Sequence, residues 1–444
     1  MVAKICLRLL NETRAFHQVR VIKQALICLT LSLTCLPQSV TDIIPAEAAE
    51  GSPPSKERPP IKIGLIVSLT GVGSSSCQDM VKGFELFLNQ IHYQMQGRKV
   101  ELIVENDGSS PTTGVEKIRK LVQQDKVQMV AGIGLSNVAL AVAPEAERLQ
   151  VPLMLAIAGA DDLTKRKQLT WLVRTGYCNS QPMQPFGEYA YKTLHYKKVD
   201  IISVDYTYGW EASAGFQKTF EGAGGKVLQK LWVPLGFQDF SVFIKQLRKD
   251  ADAVCLVTVG GAAELLPVQY KECGPNLPLI GSGPSFDEIV LQKTKEATLG
   301  AVSPMFYSAT INTEDNKRFI QSYAAKYGAD PSLFSEGAYT AGLWIAKAVD
   351  DLKGNIEDKN KLLYALKHVQ LKNAPRGPIK LDAYGNPIQN IYVRKVERVN
   401  GRLQNSVIFT YKNVSQFWKY NPLEYLNWPP FNRDYPPVKS GDEQ

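Results

Sequence analysis

Short apolar runs alternate along the chain with longer segments in which apolar residues recur at helical spacing. The runs Ile61–Ser68, Val100–Glu105, Val127–Ala131 and Val151–Ala156 have the length of buried strands. After the first run, a helix is expected to begin at Asp79, with its apolar residues on one face. Buried strands that alternate with amphipathic helices are typical of an α/β protein with parallel sheets.

One stretch, residues 126–164, predicts a complete strand–helix–strand unit. Its first strand ends in a glycine-rich turn, and Ser136 is a residue type that commonly caps the start of a helix. Parallel units of this kind are right-handed, and their ligands bind at the carboxyl ends of the strands, against helix N-termini. The pattern therefore predicts that residues 132–137 and 157–160 lie side by side as one wall of a small-molecule site.

The same alternation continues through the rest of the chain. Further strands are predicted at Val199–Val204, Ala253–Val259, Leu277–Gly281, Ile379–Leu381, Ile391–Val399 and Ser406–Tyr411. Further helices are predicted at Phe240–Leu247, Asn316–Tyr327 and Ser335–Leu352. The last residues, 412–444, are rich in aromatic residues and proline, so they are expected to run over the surface as a tail with little regular structure.

Two sequence signatures resemble a known family. They are VAGIGLSN followed by VPLMLAIAGA, within residues 130–160, and DYTYG at residues 205–209, which ends a strand and precedes a helix. Both are similar to the periplasmic branched-chain amino-acid-type (leucine-binding-protein-like) substrate-binding proteins of ABC importers, and the resemblance covers residues 61–411. It implies the type I periplasmic-binding fold, an α/β fold in which two Rossmann-like lobes have parallel central sheets and are joined by three crossover segments.

The residue pattern at the two ends and the resemblance between them together predict a division of the chain into segments. They are a signal peptide (1–48), a flexible leader (49–60), the first part of lobe 1 (61–176), the first part of lobe 2 (177–302), the second part of lobe 1 (303–373), the second part of lobe 2 (374–411) and the C-terminal tail (412–444). The segments Thr298–Tyr307 and Ala374–Pro378 are expected to be the second and third crossings between the lobes.

Residues 1–48 predict a secretion signal. Basic residues precede the 12-residue apolar core Ala25–Leu36, which is too short to span a bilayer, and Ala46–Ala48 fits the small-residue cleavage pattern. A lipid anchor on Cys35 is the less favoured alternative, because Ser32–Thr34 is a poor approach to a lipidated cysteine. The mature protein is therefore expected to be soluble and periplasmic.

Composition and charge are those of an ordinary soluble globular protein without a nucleic-acid-binding surface. The 444 residues are 44% hydrophobic and 21% charged, and the net charge of +8 is scattered, with no basic run longer than Lys165–Lys167. Gly132 and Gly134 lack the third glycine of a dinucleotide fingerprint, because Asn137 stands in its place. Since no motif for metal, nucleotide or nucleophilic chemistry was found, no enzymatic activity, cofactor, metal or nucleic-acid partner is expected.

Four cysteines follow the predicted cleavage site: Cys77, Cys178, Cys255 and Cys273. Export to an oxidising compartment permits disulfides. Cys255 lies early in a predicted strand and Cys273 ends the helix after it, so a bridge between these two is predicted, with free buried thiols as the alternative.

The resemblance implies ligand contacts from the loops at the strand ends of both lobes. They are predicted at Thr70, Ser75, Ser76, Gly134, Leu135, Ser136, Ile157, Ala158, Gly159, Tyr177, Tyr206, Tyr208 and Gly283. Tyr208 matches the aromatic contact of the second lobe, whose ring meets the ligand only when the lobes close. The alternative is that Tyr206, Tyr208 and Trp210 pack on the hinge side. Arg376 is predicted to face solvent rather than hold a carboxylate.

The same resemblance bears on the ligand. In amino-acid binders of the family, a threonine and an acidic residue hold the zwitterion, and the matching positions here are Gly159 and Gly283. An unpaired buried ammonium group is costly, so a ligand with one polar head and a flat or apolar body, such as an aromatic acid or amide, is favoured. Asp205 or Asp287 could supply the acid instead, which leaves branched-chain amino acids open.

The predicted function is therefore that of a monomeric binding protein that closes on a small ligand and delivers it to the membrane permease of an ABC importer. A protein of the same fold that senses its ligand for a signalling or regulatory partner is the alternative.

Overall fold

The apolar runs of the N-terminal third of the chain form one sheet, and those after residue 197 form a second. In the computed structural model, which describes residues 58–439, each sheet is the centre of one lobe. The predicted signal peptide (1–48) lies outside the described residues. Within the described part of the chain, no helix is long and apolar enough to cross a membrane.

The first sheet has six strands in the order β2-β3-β1-β4-β5-β6. The strands are β1 (Ile61–Val67), β2 (Gln94–Met95), β3 (Arg98–Asn106), β4 (Met129–Gly132), β5 (Leu153–Leu155) and β6 (Leu172–Arg174). All neighbours are parallel except β2 and β3. The strand order reverses at β1, which lies between β3 and β4, and ligands of such sheets bind at this point, beyond the carboxyl ends of the strands.

The second sheet has the order β12-β13-β14-β11-β10-β9-β7-β8, and β15 pairs with β14. Its strands are β7 (Lys198–Val204), β8 (Lys226–Val233), β9 (Ala253–Val257), β10 (Leu279–Gly281), β11 (Val302–Met305), β12 (Gln370–Leu371), β13 (Ile379–Leu381), β14 (Pro387–Val399) and β15 (Arg402–Val414). Strands β7 to β11 are parallel, whereas β12 to β15 form antiparallel pairs.

Helices cover both sheets. In chain order they are α1 (Ser74–Gln90), α2 (Pro111–Gln123), α3 (Ser136–Leu149), α4 (Asp162–Lys165), α5 (Met183–Lys192), α6 (Thr207–Gly222), α7 (Ser241–Ile244), α8 (Gly261–Cys273), α9 (Glu288–Thr294), α10 (Glu314–Tyr327), α11 (Leu333–Asp351), α12 (Lys359–His368) and α13 (Pro422–Leu426). Two short 3-10 turns, at Gly283–Phe286 and Lys295–Thr298, flank α9.

The chain crosses between the lobes three times. It enters the second lobe after β6, returns after β11 so that α10 and α11 pack against α1, and crosses again between α12 and β12. One apolar cluster joins β1, α1, α11 and α12, with Phe84 and Trp344 fully buried. A second cluster runs from β4 and α3 to α5, α6 and β7, so it spans both lobes. The predicted two-lobe α/β fold is confirmed.

Several predicted element boundaries are wrong. Helix α1 begins at Ser74 rather than Asp79, because the serines after Gly73 already form its first turn. Asp79 does not cap the helix. It is buried and accepts hydrogen bonds from Tyr323 and Ser332, which tie α1 to α10 and α11.

Two predicted segments in the second lobe also differ. Helix α7 has four residues, because only the start of the predicted Phe240–Leu247 segment is helical. The predicted crossing Thr298–Tyr307 contains strand β11, which pairs with β10 and β14 before the chain leaves the lobe.

The predicted Cys255–Cys273 disulfide is wrong, and all four cysteines among the described residues are free. Cys255 is completely buried within β9, whereas Cys273 is exposed at the end of α8, where its thiol donates to the Gln269 carbonyl oxygen. Burial raises the pKa of the Cys77 and Cys178 thiols to about 12, so both remain protonated and unreactive.

The C-terminal tail is more ordered than predicted. Phe417 and Tyr425 are buried, and α13 provides one short helix. The Tyr425 hydroxyl accepts a hydrogen bond from the buried Lys165 ammonium of the first lobe at 2.9 Å. Further along the tail, Lys230 of the second lobe donates to the Pro436 carbonyl oxygen at 2.6 Å. The tail therefore binds both lobes.

Replacing Tyr425 with phenylalanine is expected to lower the free energy of unfolding by about 1.5–3 kcal/mol, because the buried Lys165 ammonium loses one charge-assisted hydrogen bond. Denaturant unfolding of both proteins measures the difference. Leu423→Ala is the matched control, because Leu423 lies on the same helix but is 71% exposed. Equal losses in the two variants would contradict the role given to the Tyr425 hydroxyl.

Candidate ligand-binding cleft

A small cavity lies between the lobes, at the carboxyl ends of the strands. About 10 Å³ is open to the centres of water molecules, which is room for about one water. The lining residues are Gly134, Ser136, Ile157, Gly159, Tyr177, Asn179, Tyr206, Tyr208, Val259, Pro284 and Phe334. A larger groove of about 580 Å³ lies between α9, α10 and the β14–β15 turn, but it is open to solvent and away from these strand ends.

The wall from the first lobe is built on the start of α3. Leu135 is the N-cap residue, in extended conformation, so the helix begins at Ser136 without the predicted side-chain cap. The Ser136 hydroxyl instead accepts a hydrogen bond from Asn179 at 3.1 Å. The backbone N–H groups of the first helical turn have no partner within a helix, and the helix dipole favours a negative group beside them. This wall suits a carboxylate or another anionic or acceptor group.

Tyrosine rings form much of the opposite wall. Tyr206, the N-cap residue of α6, and Tyr208 have ring centroids 6.0 Å apart. The Tyr208 hydroxyl donates to the Ser282 hydroxyl at 2.7 Å, which fixes its ring. Burial raises the pKa of Tyr177 and Tyr206 well above the usual tyrosine value, so the hydroxyls beside the cavity are neutral at physiological pH.

A buried polar group joins the two lobes beneath the cavity. The Glu211 carboxyl, on α6, accepts hydrogen bonds from the Asp161 backbone at 2.9 Å and from the Asn179 amide at 2.7 Å. Burial, together with the Asp161 carboxylate, raises the pKa of Glu211 well above its usual value. Burial therefore favours the neutral form of Glu211. For Asp161, burial would raise the pKa, but the Lys165 ammonium outweighs burial and lowers it.

The mouth of the cleft is closed by contacts between the lobes. The Ser75 hydroxyl, on α1, donates to Glu264 of α8 at 3.3 Å, and Lys293 pairs with the same carboxylate at 2.6 Å. Beside them, the backbone at Gly260 approaches Val72 so closely that a Cβ at Gly260 would lie 2.0 Å from the Val72 carbonyl oxygen. The structure therefore has its lobes closed.

The structure brings many of the predicted site residues together. Those that line the cavity are Gly134, Ser136, Ile157, Gly159, Tyr177, Tyr206 and Tyr208, and Ser75 lies at its mouth. Thr70 is exposed and accepts a hydrogen bond from Asn106. The others outside the lining are Ser76, Leu135, Ala158 and Gly283, which are all buried in packing.

Four lining residues lie outside the set of predicted contacts: Asn179, Val259, Pro284 and Phe334. The segment Tyr177–Ser180, which includes Asn179, was predicted only to lie at the mouth of the cleft. Asn179 had a detectable signal, because it follows Tyr177 by two residues in the segment that leaves the first lobe. Pro284 follows the predicted Gly283, which packs instead against Met305. Phe334 gave no signal, because it lies in a helix far along the chain that folds back onto the first lobe.

The prediction that Arg376 faces solvent is wrong. Arg376 is 1% exposed and its guanidinium pairs with the fully buried Glu336 carboxylate, with Nε and Oε2 2.7 Å apart. It also donates to the Thr175 carbonyl oxygen at 3.2 Å and lies over the Phe306 ring. Arg376 therefore joins segments near the crossings and is not part of the cavity lining.

Within residues 58–439, no group of three or more histidine, cysteine, aspartate or glutamate side chains is placed to hold a metal ion. The side chains around the cavity are instead aromatic rings, small residues and neutral hydrogen-bonding groups. Such an arrangement can hold a small molecule between two closing lobes.

Comparison with known proteins agrees with this geometry. An ABC transporter substrate-binding protein from Sphaerobacter thermophilus is similar in structure, with 32% sequence identity, a TM-score of 0.75, and coverage of 80% of this chain and 99% of that chain. A solute-binding protein of an ABC transporter from Rhodopseudomonas palustris BisB5, in complex with 3,4-dihydroxybenzoic acid, has 30% identity, a TM-score of 0.76, and coverage of 80% and 98%.

In sequence, the chain is 25% identical to Leu/Ile/Val-binding protein homolog 6 of Brucella melitensis over 362 residues, which cover 79% of this chain and 92% of that protein. The model of the periplasmic binding protein family matches residues 60–402, most of the chain. The two solved relatives are substrate- or solute-binding proteins of ABC transporters. Fold, closed cleft and family match agree: the chain belongs to the periplasmic binding protein family, as a substrate-binding protein of the ABC transporter type.

Proposed function

We propose that this protein is the exported, monomeric substrate-binding component of an ABC importer, and that it captures an aromatic carboxylate and delivers it to a membrane permease. The observation that carries the proposal is the pairing of a helix start, at Ser136, with the rings of Tyr177, Tyr206 and Tyr208 around one narrow cavity. A helix start favours a carboxylate, and tyrosine rings on the facing wall favour a flat ring, which the cleft would admit with its lobes further apart.

The charge balance supports an aromatic acid over an amino acid. A zwitterion needs an anionic partner for its ammonium group, since an unpaired buried charge costs several kcal/mol. The cavity lining of the described chain contains no aspartate or glutamate, and burial together with Asp161 raises the pKa of the nearby Glu211, which favours its neutral form. Asp287, one of the alternative acids, has a pKa raised by burial and by Glu288.

The relatives support the same ligand class without deciding it. The similar Rhodopseudomonas protein was solved with 3,4-dihydroxybenzoic acid, whereas the Brucella relative is named for leucine, isoleucine and valine. Amino acids carry an ammonium group that aromatic acids lack. The choice between these two ligand classes therefore depends on whether this cleft can hold a positive charge.

Thermal unfolding with a ligand panel tests the proposal. The full chain, produced with its own N-terminus in a bacterial host, would be unfolded and refolded to remove bound ligand. It would then be heated with benzoate, the hydroxybenzoates, leucine or valine. A ligand at one hundred times its dissociation constant adds about 2.7 kcal/mol of stability. We expect the aromatic carboxylates to raise the unfolding temperature. A shift with leucine and valine alone would overturn the ligand class.

A further inference from the structure

Asn179 is a buried polar residue of the cavity whose hydrogen-bonding capacity is only half used. Its side chain is 1% exposed and lines the cavity from the segment between β6 and α5. The amide nitrogen donates both of its protons, to the Ser136 hydroxyl at 3.1 Å and to the Glu211 carboxyl at 2.7 Å. These two bonds join α3 of the first lobe to α6 of the second.

The Asn179 amide oxygen, in contrast, is buried and has no hydrogen-bond partner among residues 58–439. It lies where a side chain at position 159 would begin, because a Cβ built on Gly159 would be 2.3 Å from this oxygen. Gly159 also lines the cavity, so the absence of a side chain there makes room for the amide oxygen at the cavity wall. Buried acceptors are normally paired, which makes an unpaired one beside a ligand site informative.

The orientation of the amide follows from its neighbours. The Glu211 oxygen that faces Asn179, Oε2, also accepts the Asp161 backbone proton. With the carboxyl proton on Oε1, Oε2 can only accept, so it requires a donor from Asn179. Exchanging the amide oxygen and nitrogen would place two acceptors against each other. The unpaired end that remains at the cavity is therefore the oxygen.

We propose that Asn179 determines ligand specificity by accepting, through its amide oxygen, a hydrogen bond from a donor group on the bound ligand. The inference rests on the proposed function, under which the donor is the hydroxyl group of a hydroxylated aromatic acid. An ammonium group could donate to the same oxygen. The neighbouring Asp161 carboxylate is already paired with the Lys165 ammonium at 2.6 Å, which leaves no free negative charge there for a second cation.

Calorimetric titration of the wild-type protein with ligands that differ in one donor tests this inference. The series contains benzoate, the three monohydroxybenzoates, 3,4-dihydroxybenzoate and 4-methoxybenzoate, with leucine as the ammonium-bearing ligand. Methoxybenzoate keeps the oxygen atom but has no proton to donate. We expect at least one hydroxybenzoate to bind about tenfold or more tightly than benzoate and methoxybenzoate, a difference of about 1.4 kcal/mol.

The Asn179→Leu variant is expected to lose this preference, so that its affinities for benzoate and the preferred hydroxybenzoate agree within about threefold. Val259→Ala is the matched control, because Val259 lines the same cavity without a polar group. It should change all affinities together and keep their ratio.

The outcomes separate the two proposals. If the wild-type protein binds aromatic acids without preferring a hydroxyl group, the role of Asn179 is overturned but the proposed ligand class stands. The same conclusion follows if Asn179→Leu keeps the preference of the wild-type protein. Binding of leucine without any aromatic acid overturns the proposed ligand class, and the hydroxyl donor with it. Because the wild-type ligand series needs no substitution, the inference remains testable if Asn179→Leu fails to fold.

Discussion

Replacing Arg376 with methionine is expected to lower the free energy of unfolding by about 3–5 kcal/mol, because it leaves the Glu336 carboxylate buried without its partner. Glu336 would keep only the Thr340 hydroxyl, which donates to it at 2.6 Å. The Thr175 carbonyl oxygen and the Gln389 side chain would also lose their donor. Denaturant unfolding followed by circular dichroism measures the loss.

A double substitution separates the unpaired charge from lost packing. In Arg376→Met/Glu336→Leu both charges are replaced by apolar groups, and such replacements of a buried pair are often neutral or stabilising. We therefore expect the double variant to recover most of the stability lost in Arg376→Met. A loss below about 1 kcal/mol in the single variant would show that the pair is not essential. No recovery in the double variant would place the effect in packing, for instance against Phe306.

Replacing Gly260 with alanine is expected to weaken ligand binding about tenfold or more, a change of about 1.4 kcal/mol, because the lobes can no longer close completely. Gly260 lies at the start of α8 in the second lobe, and its added Cβ would be 2.0 Å from the Val72 carbonyl oxygen of the first lobe. The Val72 oxygen belongs to the backbone and the added Cβ is bonded directly to it, so neither atom can move aside by a side-chain rotation. The clash is relieved only if the lobes separate. Titration with 3,4-dihydroxybenzoate measures the affinity.

Gly261→Ala is the matched control for this experiment. Gly261 is the next residue and the first of α8, and a Cβ there would meet no atom within 4 Å. Gly260 also has φ of +59°, which alanine rarely adopts, so Gly260→Ala should reduce stability with or without ligand. The effect of Gly260→Ala on closure is therefore the loss of ligand affinity relative to Gly261→Ala, measured separately from the loss of stability. Equal affinities in the two variants would show that this contact does not limit closure.

Much of the first lobe could be predicted from local sequence. The apolar runs of β1, β4 and β5, the glycine-rich turn after β4 and the helical spacing of α3 agree with one another, and local agreement of this kind is reliable. The rule that ligands bind at the carboxyl ends of parallel strands then brought residues 132–137 and 157–160 to the same wall. Whether the predicted residues bind ligand remains a prediction that the titrations above test.

The errors arose where a residue's environment is made by distant segments. Arg376 lies in a short segment before β13, which suggested solvent exposure, but Glu336 and Phe306 come from other parts of the chain to surround it. Cys255 and Cys273 lie at the two ends of one strand–helix unit, yet one side chain enters the core and the other faces solvent. The tail was expected to be irregular, and Lys165, more than two hundred residues earlier, provides the partner of Tyr425.

The sequence by itself determined the α/β class, the alternation of strands and helices, and the family to which the chain belongs, because periodicity and turn residues are local properties. Only the tertiary structure decided which side chains meet across the cleft. In the packed structure Asn179 lies between Ser136 and Glu211, and its amide oxygen lies against Gly159 without a partner among residues 58–439. Hydrogen bonds between segments far apart in sequence depend on how the lobes pack, and no local pattern encodes them.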